Sequence, residues 1–222
     1  MSKLYRGECR SYSIDELAED AKQYAYHKWY QTAEYHGTDE IKATLNEFCR
    51  LFDVRCYSWE FDAYSHNFRF DILNDTLTCV ENISGIRLAT YIWNNYAQYI
   101  TKGKCFSLWS KTERSEHNPA IRKLKSRHSR VMLSMEDCPL TGGCYDCNVL
   151  EPVIKCLSYQ KLYNSYTELI EDCLDGLFLA AQKECEYVYS MEYFIDEARN
   201  NEYEYCSNGS AFRLPDGFVE VA

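Results

Sequence analysis

Helix-start signals recur along this chain and restrict what it can fold into more than any other sequence feature. Ser13 and Glu16 have the spacing of a capping box, in which each side chain accepts a hydrogen bond from the other residue's backbone amide. Apolar residues then recur at intervals of three and four, which predicts an amphipathic helix over residues 13–36 that ends at Gly37. Thr38 starts a second helix, and the short connection predicts an antiparallel helix pair.

The pattern changes after Asp53. Residues 54–61 are rich in β-branched and aromatic side chains, and residues 66–72 alternate between apolar and polar side chains. Because only a short connection separates these two segments, they predict a β-hairpin. Helical spacing returns over residues 84–100.

The C-terminal half again carries helix-start signals. Polar N-cap residues precede helical apolar patterns at three places: Asn148, Ser165 and Ser190. Near the end of the chain, the dipeptide Asn208-Gly209 is a strong hairpin signal and predicts a terminal β-hairpin over residues 203–214.

Together these elements predict an α+β fold. It has a helical N-terminal pair, a small antiparallel sheet and a helical C-terminal half with a terminal β-hairpin. The length suits a single compact domain over residues 1–222. The expected parts are a helix pair with a hairpin over 1–100, a basic connecting segment over 101–137 and a helical half over 138–222.

Net charge and the lengths of apolar segments limit the kinds of binding partner and the cellular location that we expect for this protein. A net charge of −10 fits poorly with nucleic acid or an anionic membrane and better with a basic protein. The chain has no run of eighteen apolar residues to cross a membrane and no apolar N-terminal segment of a secretory signal. We therefore expect a cytoplasmic protein that makes no membrane contact and whose twelve cysteines stay reduced.

One basic segment departs from this acidic character. Residues 101–131 contain nine basic and two acidic residues, so they carry +7 while the rest of the chain carries −17. Such a segment fits either a solvated surface that balances acidic neighbours or a contact with phosphate or an acidic partner. Its few aromatic residues do not suggest a base-stacking surface. The candidate binding residues are Lys111, Arg114, Arg122, Lys123, Lys125, Arg127 and Arg130.

Four cysteines of the C-terminal half are candidate metal ligands. Cys144 and Cys147 have the separation of a zinc knuckle, but Cys138 and Cys156 do not complete a common zinc spacing. The same loop contains a proline and two glycines, which permit a tight reversal. We therefore predict a structural turn that holds no metal and no cofactor, with Cys138 and Cys144 close together at its base.

Catalytic motifs are not apparent in the chain. It lacks the zinc-protease, nucleophile-elbow, phosphate-loop and dinucleotide-binding patterns. Five scattered histidines and many neighbouring carboxylates leave a Cys-His site or a carboxylate site open as alternatives. We assign no catalytic residue and expect a protein that is not an enzyme.

Three segments of the chain resemble one group of proteins. Residues 12–22 (YSIDELAEDAK) resemble the opening Y-x-F-D-E-L-S-E-E-A-K of that group, and residues 138–146 (CPLTGGCYD) resemble its CPLTG-x-C-x-D loop. The tail NEYEY, followed by Asn208-Gly209, resembles its NEYEF…DG ending. The group comprises uncharacterised proteins of bacterial phages and mobile elements, often labelled antitoxins of toxin–antitoxin systems. The resemblance implies a mobile-element setting and a cytoplasmic location, and it supplies no catalytic residue.

The leading hypothesis is an acidic phage or mobile-element protein that inhibits a host protein or nucleoprotein defence complex by binding it, as anti-CRISPR proteins do. An acidic surface would contact a basic site on the partner, and some of the twenty tyrosines would anchor the contact. Two alternatives stay open, an antitoxin that neutralises a toxin and an enzyme with an unrecognised carboxylate or Cys-His site. Direct nucleic-acid binding through residues 101–131 is a further alternative that the net charge does not favour.

Overall fold

The computed structural model describes residues 3–5, 9–80, 82–100, 113–114, 122–123, 138–159 and 162–213. Among these residues there are seven α-helices and three antiparallel strand pairs, so the fold has the predicted mixed composition. In chain order the elements are β1 (Lys3–Tyr5), β2 (Cys9–Ser11), α1 (Glu19–Tyr30), α2 (Thr38–Leu51), β3 (Val54–Phe61), β4 (His66–Ile72), α3 (Asn74–Val80), α4 (Gly85–Ile100), β5 (Glu113–Arg114), β6 (Arg122–Lys123), α5 (Tyr145–Ser158), α6 (Tyr166–Val188) and α7 (Met191–Asn200).

Two compact units divide the chain. The first unit consists of Met1–His36, Asp62–Tyr64 and Lys183–Ala222. The second and larger unit consists of Gly37–Phe61 and Ser65–Gln182. The single domain predicted over residues 1–222, together with its three parts, stays a prediction.

Helices α1 and α7 form the framework of the first unit. Their inward faces carry small residues, which allow the two backbones to approach closely, and the large side chain of Phe194 fills the remaining space. The buried residues of this core are Ile14, Leu17, Ala21, Ala25, Phe194, Ala198 and Tyr205.

The first helix is shorter than the one predicted over residues 13–36. The capping box between Ser13 and Glu16 forms, but it caps a single 3₁₀ turn. Leu17 then becomes extended, with φ −71° and ψ 145°, and α1 begins only at Glu19. A continuous helix would bury the apolar residues of this stretch just as the 3₁₀ turn followed by α1 does. The spacing of those residues therefore does not distinguish the two structures.

The turn after α7 lies directly on α1. Gly209 has φ +84°, and a Cβ atom at this position would lie 2.0 Å from the backbone oxygen of Ala21, so only glycine fits. The chain reverses here, and Tyr205 forms isolated antiparallel bridges to Tyr12 and Ala211. The described residues therefore show single bridges in place of the continuous hairpin strands predicted over residues 203–214, and residue 214 lies outside them.

The β3–β4 hairpin of the second unit forms as predicted. The pairing shifts register between Cys56 and Ser58, so that Tyr57 is the extra residue of a bulge. The half-buried face of the hairpin packs on α6, where Trp59 and Phe68 stack on Phe178 with ring centroids 5.7 and 5.5 Å away. One face is thus buried and the other faces solvent, as the alternation predicted.

The helical core of the second unit is close-packed and mostly aliphatic. Phe48 and Phe52 of this core are fully buried and stack with ring centroids 4.6 Å apart. The hydroxyl of buried Tyr166 donates a 2.8 Å hydrogen bond to the backbone oxygen of Phe52, which leaves no polar group unpaired at this point.

Four of the predicted helices, α2, α4, α6 and α7, are confirmed. Helix α5 is longer than predicted, because it begins at Tyr145 rather than after a cap at Asn148. The short elements β1, β2 and α3 were not predicted, since segments of three to seven residues carry too few positions to show a period.

Candidate protein-binding surface

An aromatic layer joins α1 to α7 in the first unit. Trp29 stacks on Tyr26 at 6.0 Å and packs against Phe194 at 5.3 Å between ring centroids. The Tyr26 hydroxyl donates a 2.6 Å hydrogen bond to the backbone oxygen of Tyr189, and burial raises the pKa of Tyr26. The layer is therefore held by both ring packing and hydrogen bonds.

A single carboxylate anchors the outer edge of this layer. Glu197 accepts a 3.0 Å hydrogen bond from the indole nitrogen of Trp29 and a 3.3 Å hydrogen bond from the hydroxyl of Tyr203. Burial and the neighbouring Glu197 charge raise the pKa of Tyr203, so its hydroxyl remains a donor at neutral pH. These two hydrogen bonds hold the rings of Trp29 and Tyr203 in defined orientations.

Three tyrosines at the margin of the layer are partly exposed. Tyr30, Tyr187 and Tyr203 have 42%, 47% and 40% of their surface accessible. Tyr30 packs on Tyr189 at 5.4 Å, and Tyr187 meets Tyr193 edge-on at 5.6 Å, so their rings have restricted freedom before any partner binds. We call these three residues the tyrosine surface.

Acidic residues concentrate in the same unit. The first unit contains sixteen acidic and eight basic residues, a net charge of −8 in little more than a third of the chain. Twelve of the twenty tyrosines also belong to it. The unit thus combines the two features that the sequence predicted for a surface that contacts a basic partner.

A groove of about 400 Å³ adjoins the tyrosine surface at Tyr203. Arg199 lies in its wall and donates hydrogen bonds of 3.1 and 2.7 Å from Nε and Nη2 to Asp15. The hydrogen bond from Arg199 holds the pKa of Asp15 below its usual value. Because both groups are about half exposed, this ion pair contributes little stability.

The end of α7 forms another wall of the groove and has an unusual C-terminal residue. The amide of Tyr203 donates to the oxygen of Ala198 (2.9 Å) and that of Glu202 donates to Arg199 (3.2 Å), which is a Schellman motif. Glu202 occupies the position where glycine is usual, and its φ is +53°. A carboxylate is also disfavoured by the dipole at a helix C-terminus.

Of the predicted basic binding residues, the structure describes Arg114, Arg122 and Lys123. Their backbones lie in the antiparallel pair β5–β6, where Arg114 is opposite Arg122 and Glu113 is opposite Lys123. The remaining candidates lie outside the described residues: Lys111, Lys125, Arg127 and Arg130.

The cysteine loop of the second unit is organised by a buried carboxylate. Asp146 is fully buried and its Oδ2 accepts hydrogen bonds from the backbone amides of Leu140, Thr141 and Gly142 at 2.8, 2.7 and 3.1 Å. Its Oδ1 accepts from the hydroxyls of Thr141 and Thr44 at 2.8 and 3.2 Å. The loop is therefore a turn built around one side chain in the first turn of α5.

The thiols of this loop are arranged differently from the prediction. Cys138 lies 3.9 Å from Cys147 between sulfur atoms, and Cys144, which was expected beside Cys138, is exposed. Asp146 causes this arrangement, because it draws the loop over the first turn of α5, where Cys147 is its immediate neighbour. Within the described residues no group of three or more His, Cys, Asp or Glu side chains could hold a metal ion.

Four thiols of the second unit have environments that favour the protonated form. Burial raises the pKa of Cys56, Cys147 and Cys156 to about 11, and that of Cys173 well above its usual value. A cysteine that serves as the nucleophile of an enzyme needs the opposite shift. The buried Cys156 and Cys173 therefore behave as small apolar core residues.

One histidine of the second unit has both ring nitrogens engaged. His66 Nε2 lies 2.9 Å from Asp175 Oδ1, and its Nδ1 lies 2.7 Å from Gln182 Oε1. Burial favours the neutral ring, but hydrogen bonds to Asp175 and Gln182 outweigh it and raise the pKa of His66. The contacts link β4 to α6 and favour the charged imidazolium.

Sequence reasoning missed Asp146, Glu197 and His66 as organising residues. For Asp146 a signal existed, since an acid in the first turn of a helix after a Thr-Gly loop can bind the amides of that loop. For His66, and for the contact of Glu197 with Trp29, no local signal existed, because the partners lie more than one hundred residues away.

Comparison with known proteins adds no further constraint. The chain matches no protein-family model, no curated protein and no solved structure. Among the described residues, no helix is both long and apolar enough to span a membrane.

Proposed function

We propose that this protein acts by binding and inhibiting a host protein or nucleoprotein defence complex, without catalysis, in the cytoplasm of a bacterium that carries a phage or mobile element. The tyrosine surface, set in a unit of net charge −8, is the single observation that carries the proposal. Tyrosine combines a large apolar ring with a polar tip, so it is enriched at protein interfaces.

Charge and tyrosine make different contributions to such a contact. The acidic residues attract a basic partner over a distance of about one Debye length, roughly 10 Å at 0.1 M salt, and so raise the rate of association. The exposed rings then supply most of the affinity once they are buried in the complex. Because packing against Tyr189 and Tyr193 already restricts two of the rings, ordering them on binding loses less entropy.

A triple variant tests the tyrosine surface. With Tyr30, Tyr187 and Tyr203 all replaced by serine, we expect affinity for the partner to fall by about 100-fold or more, as for loss of several hot-spot side chains. The matched control replaces Tyr57 and Tyr159, which are more exposed (53% and 69%) but belong to the second unit, and should leave affinity unchanged.

The partner is first isolated by pull-down from host lysate at low and at high salt. The proposal expects a complex that forms at low salt and weakens at about 0.5 M salt, where charges are screened beyond a few ångströms. Thermal unfolding of each variant shows that it is folded. No stable partner at low salt, or equal loss of affinity in the control, would contradict the proposal.

The antitoxin alternative uses the same surface and differs only in the partner. If the captured protein is a toxin, expression of this chain restores growth of cells that produce the toxin, and the triple variant does not.

Direct nucleic-acid binding would instead require the basic segment. In that case charge reversal of Arg122, Lys123, Lys125 and Arg127 would abolish a mobility shift, whereas the triple tyrosine variant would retain it.

A further inference from the structure

The sulfur atoms of Cys138 and Cys147 are close enough to react with each other. They lie 3.9 Å apart and are not bonded to each other, whereas a disulfide bond is about 2.05 Å long, so each sulfur needs to move by about 1 Å. A rotation about each Cα–Cβ bond provides a displacement of this size. Both side chains are only partly buried, so small oxidants can reach them.

The loop between the two cysteines maintains this proximity. Asp146, the immediate neighbour of Cys147, binds three consecutive loop amides, and the carbonyl of Cys138 accepts a 3.1 Å hydrogen bond from the amide of Gly142. Both ends of the loop are therefore tied to the first turn of α5. The contact of the two sulfurs follows from these bonds, which involve only residues of the second unit.

We propose that Cys138 and Cys147 form an oxidation site, which closes to an intramolecular disulfide when the protein meets a peroxide. In the first step one of the two sulfurs, as its thiolate, attacks the peroxide, giving a sulfenic acid and one molecule of water or alcohol. In the second step the other sulfur displaces the sulfenic oxygen, which leaves as water with the thiol proton. Two thiols and one hydrogen peroxide thus give one disulfide and two water molecules.

The surroundings of Cys147 hold this thiol in its protonated form. Burial and the neighbouring Cys138 raise the pKa of Cys147 to about 11, so Cys147 is almost entirely protonated at neutral pH. In the absence of a peroxide both residues stay thiols in a reducing compartment, as the sequence predicted.

Mass spectrometry of the full chain tests this proposal. The protein is treated with hydrogen peroxide, the remaining thiols are blocked with N-ethylmaleimide, and trypsin releases residues 131–155 as one peptide with Cys138, Cys144 and Cys147. We expect this peptide to lose two hydrogen atoms and to carry one maleimide, on Cys144. Chymotryptic cleavage after Tyr145 then leaves two fragments joined by the disulfide.

Three variants decide which thiols take part. Cys144→Ser should retain the loss of two hydrogens, whereas Cys138→Ser and Cys147→Ser should abolish it. Buried Cys156 and Cys173 serve as internal controls, because their resistance to alkylation shows that each variant is folded. In a variant that fails this control, the wild-type fragment pattern still identifies the bonded pair.

Three results would overturn the proposal. The first is a disulfide that includes Cys144, and the second is stepwise oxygen addition to Cys138 or Cys147 without a disulfide. The third is protection of Cys138 and Cys147 from maleimide without any loss of hydrogen and reversed by a chelator, which would identify a metal-bound pair instead. None of these results bears on the tyrosine surface, so the two proposals fail independently.

Discussion

The second unit has a core of large buried side chains, whereas alanines make up a large part of the core of the first unit. In the second unit Phe48, Phe52 and Phe178 are fully buried, and the polar groups of Tyr166 and Asp146 are satisfied by internal hydrogen bonds. In the first unit three of the seven buried residues of the core are alanines, and Tyr30, Tyr187 and Tyr203 are partly exposed.

The two units also differ in charge. The first carries −8 and the second −2, although the second is larger and contains the basic segment 101–131. Both units contain buried tyrosines, such as Tyr205 and Tyr166, and exposed ones, such as Tyr30 and Tyr159. The comparison teaches that exposed tyrosines alone do not distinguish the two units, whereas net charge does.

The largest expected effect concerns the internal polar network of the second unit. Asp146→Ala removes the acceptor of three backbone amides and two hydroxyls, and should lower the free energy of unfolding by about 3–5 kcal/mol. Thr44→Val removes only one of these bonds and should lower it by about 1 kcal/mol. Urea unfolding gives both values, and similar losses in the two variants would show that the carboxylate does not organise the loop.

The next largest loss of stability is expected in the first unit, where the backbone of Gly209 closely approaches that of Ala21. Gly209→Ala places a methyl group 2.0 Å from the Ala21 oxygen at a positive φ, and should destabilise by about 3 kcal/mol. Gly142→Ala is the matched control, because Gly142 also has a positive φ (+89°) but no atom lies within 4 Å of the added methyl. It should lose only about 1–2 kcal/mol from backbone strain.

Hydrogen exchange in these glycine variants sharpens the comparison between the units. We expect amide exchange to accelerate in α1 and α7 for Gly209→Ala, and in α5 for Gly142→Ala. Equal acceleration throughout the chain in both variants would show that the units unfold together and that their different cores have no separate stability.

A smaller effect of opposite sign is expected at the end of α7. Glu202→Gly removes the strain of a positive φ and an unfavourable charge at the helix C-terminus, so it should stabilise the protein by about 1 kcal/mol. Glu202→Gln removes the charge alone and should give a few tenths of this gain. A loss of thermal stability in Glu202→Gly would show that the glutamate side chain makes a stabilising contact.

The smallest effect is a pH dependence in the second unit. The pKa of His66 is raised in the folded state, so its contribution is complete below the unfolded value of about 6.5 and is lost as the pH rises through the folded value. The difference in unfolding free energy between wild type and His66→Gln should therefore shrink by a few tenths of a kcal/mol from about pH 5.5 to about pH 8.5. A difference that grows with pH would assign a neutral ring to His66.

Local patterns in the sequence determined most of the secondary structure. Four helices begin near their predicted starts, and β3 and β4 have the predicted bounds, because capping and side-chain period depend on residues only a few positions apart. The mixed helix and sheet composition follows from the same patterns. The terminal hairpin predicted over 203–214 was based on local residues alone. In the structure Tyr205 bridges to Ala211 and also to Tyr12, which is distant in the sequence.

Only the tertiary structure decided where the chain breaks and which side chains meet. The break at Leu17 was hidden because a broken and a continuous helix bury the same residues. Cys147 rather than Cys144 faces Cys138, since Asp146 draws the loop over α5. Exposed Tyr30 of α1 packs on Tyr189, which lies more than 150 residues away along the sequence. A sequence carries no local signal for contacts of that separation, because they depend on how whole elements pack to exclude water.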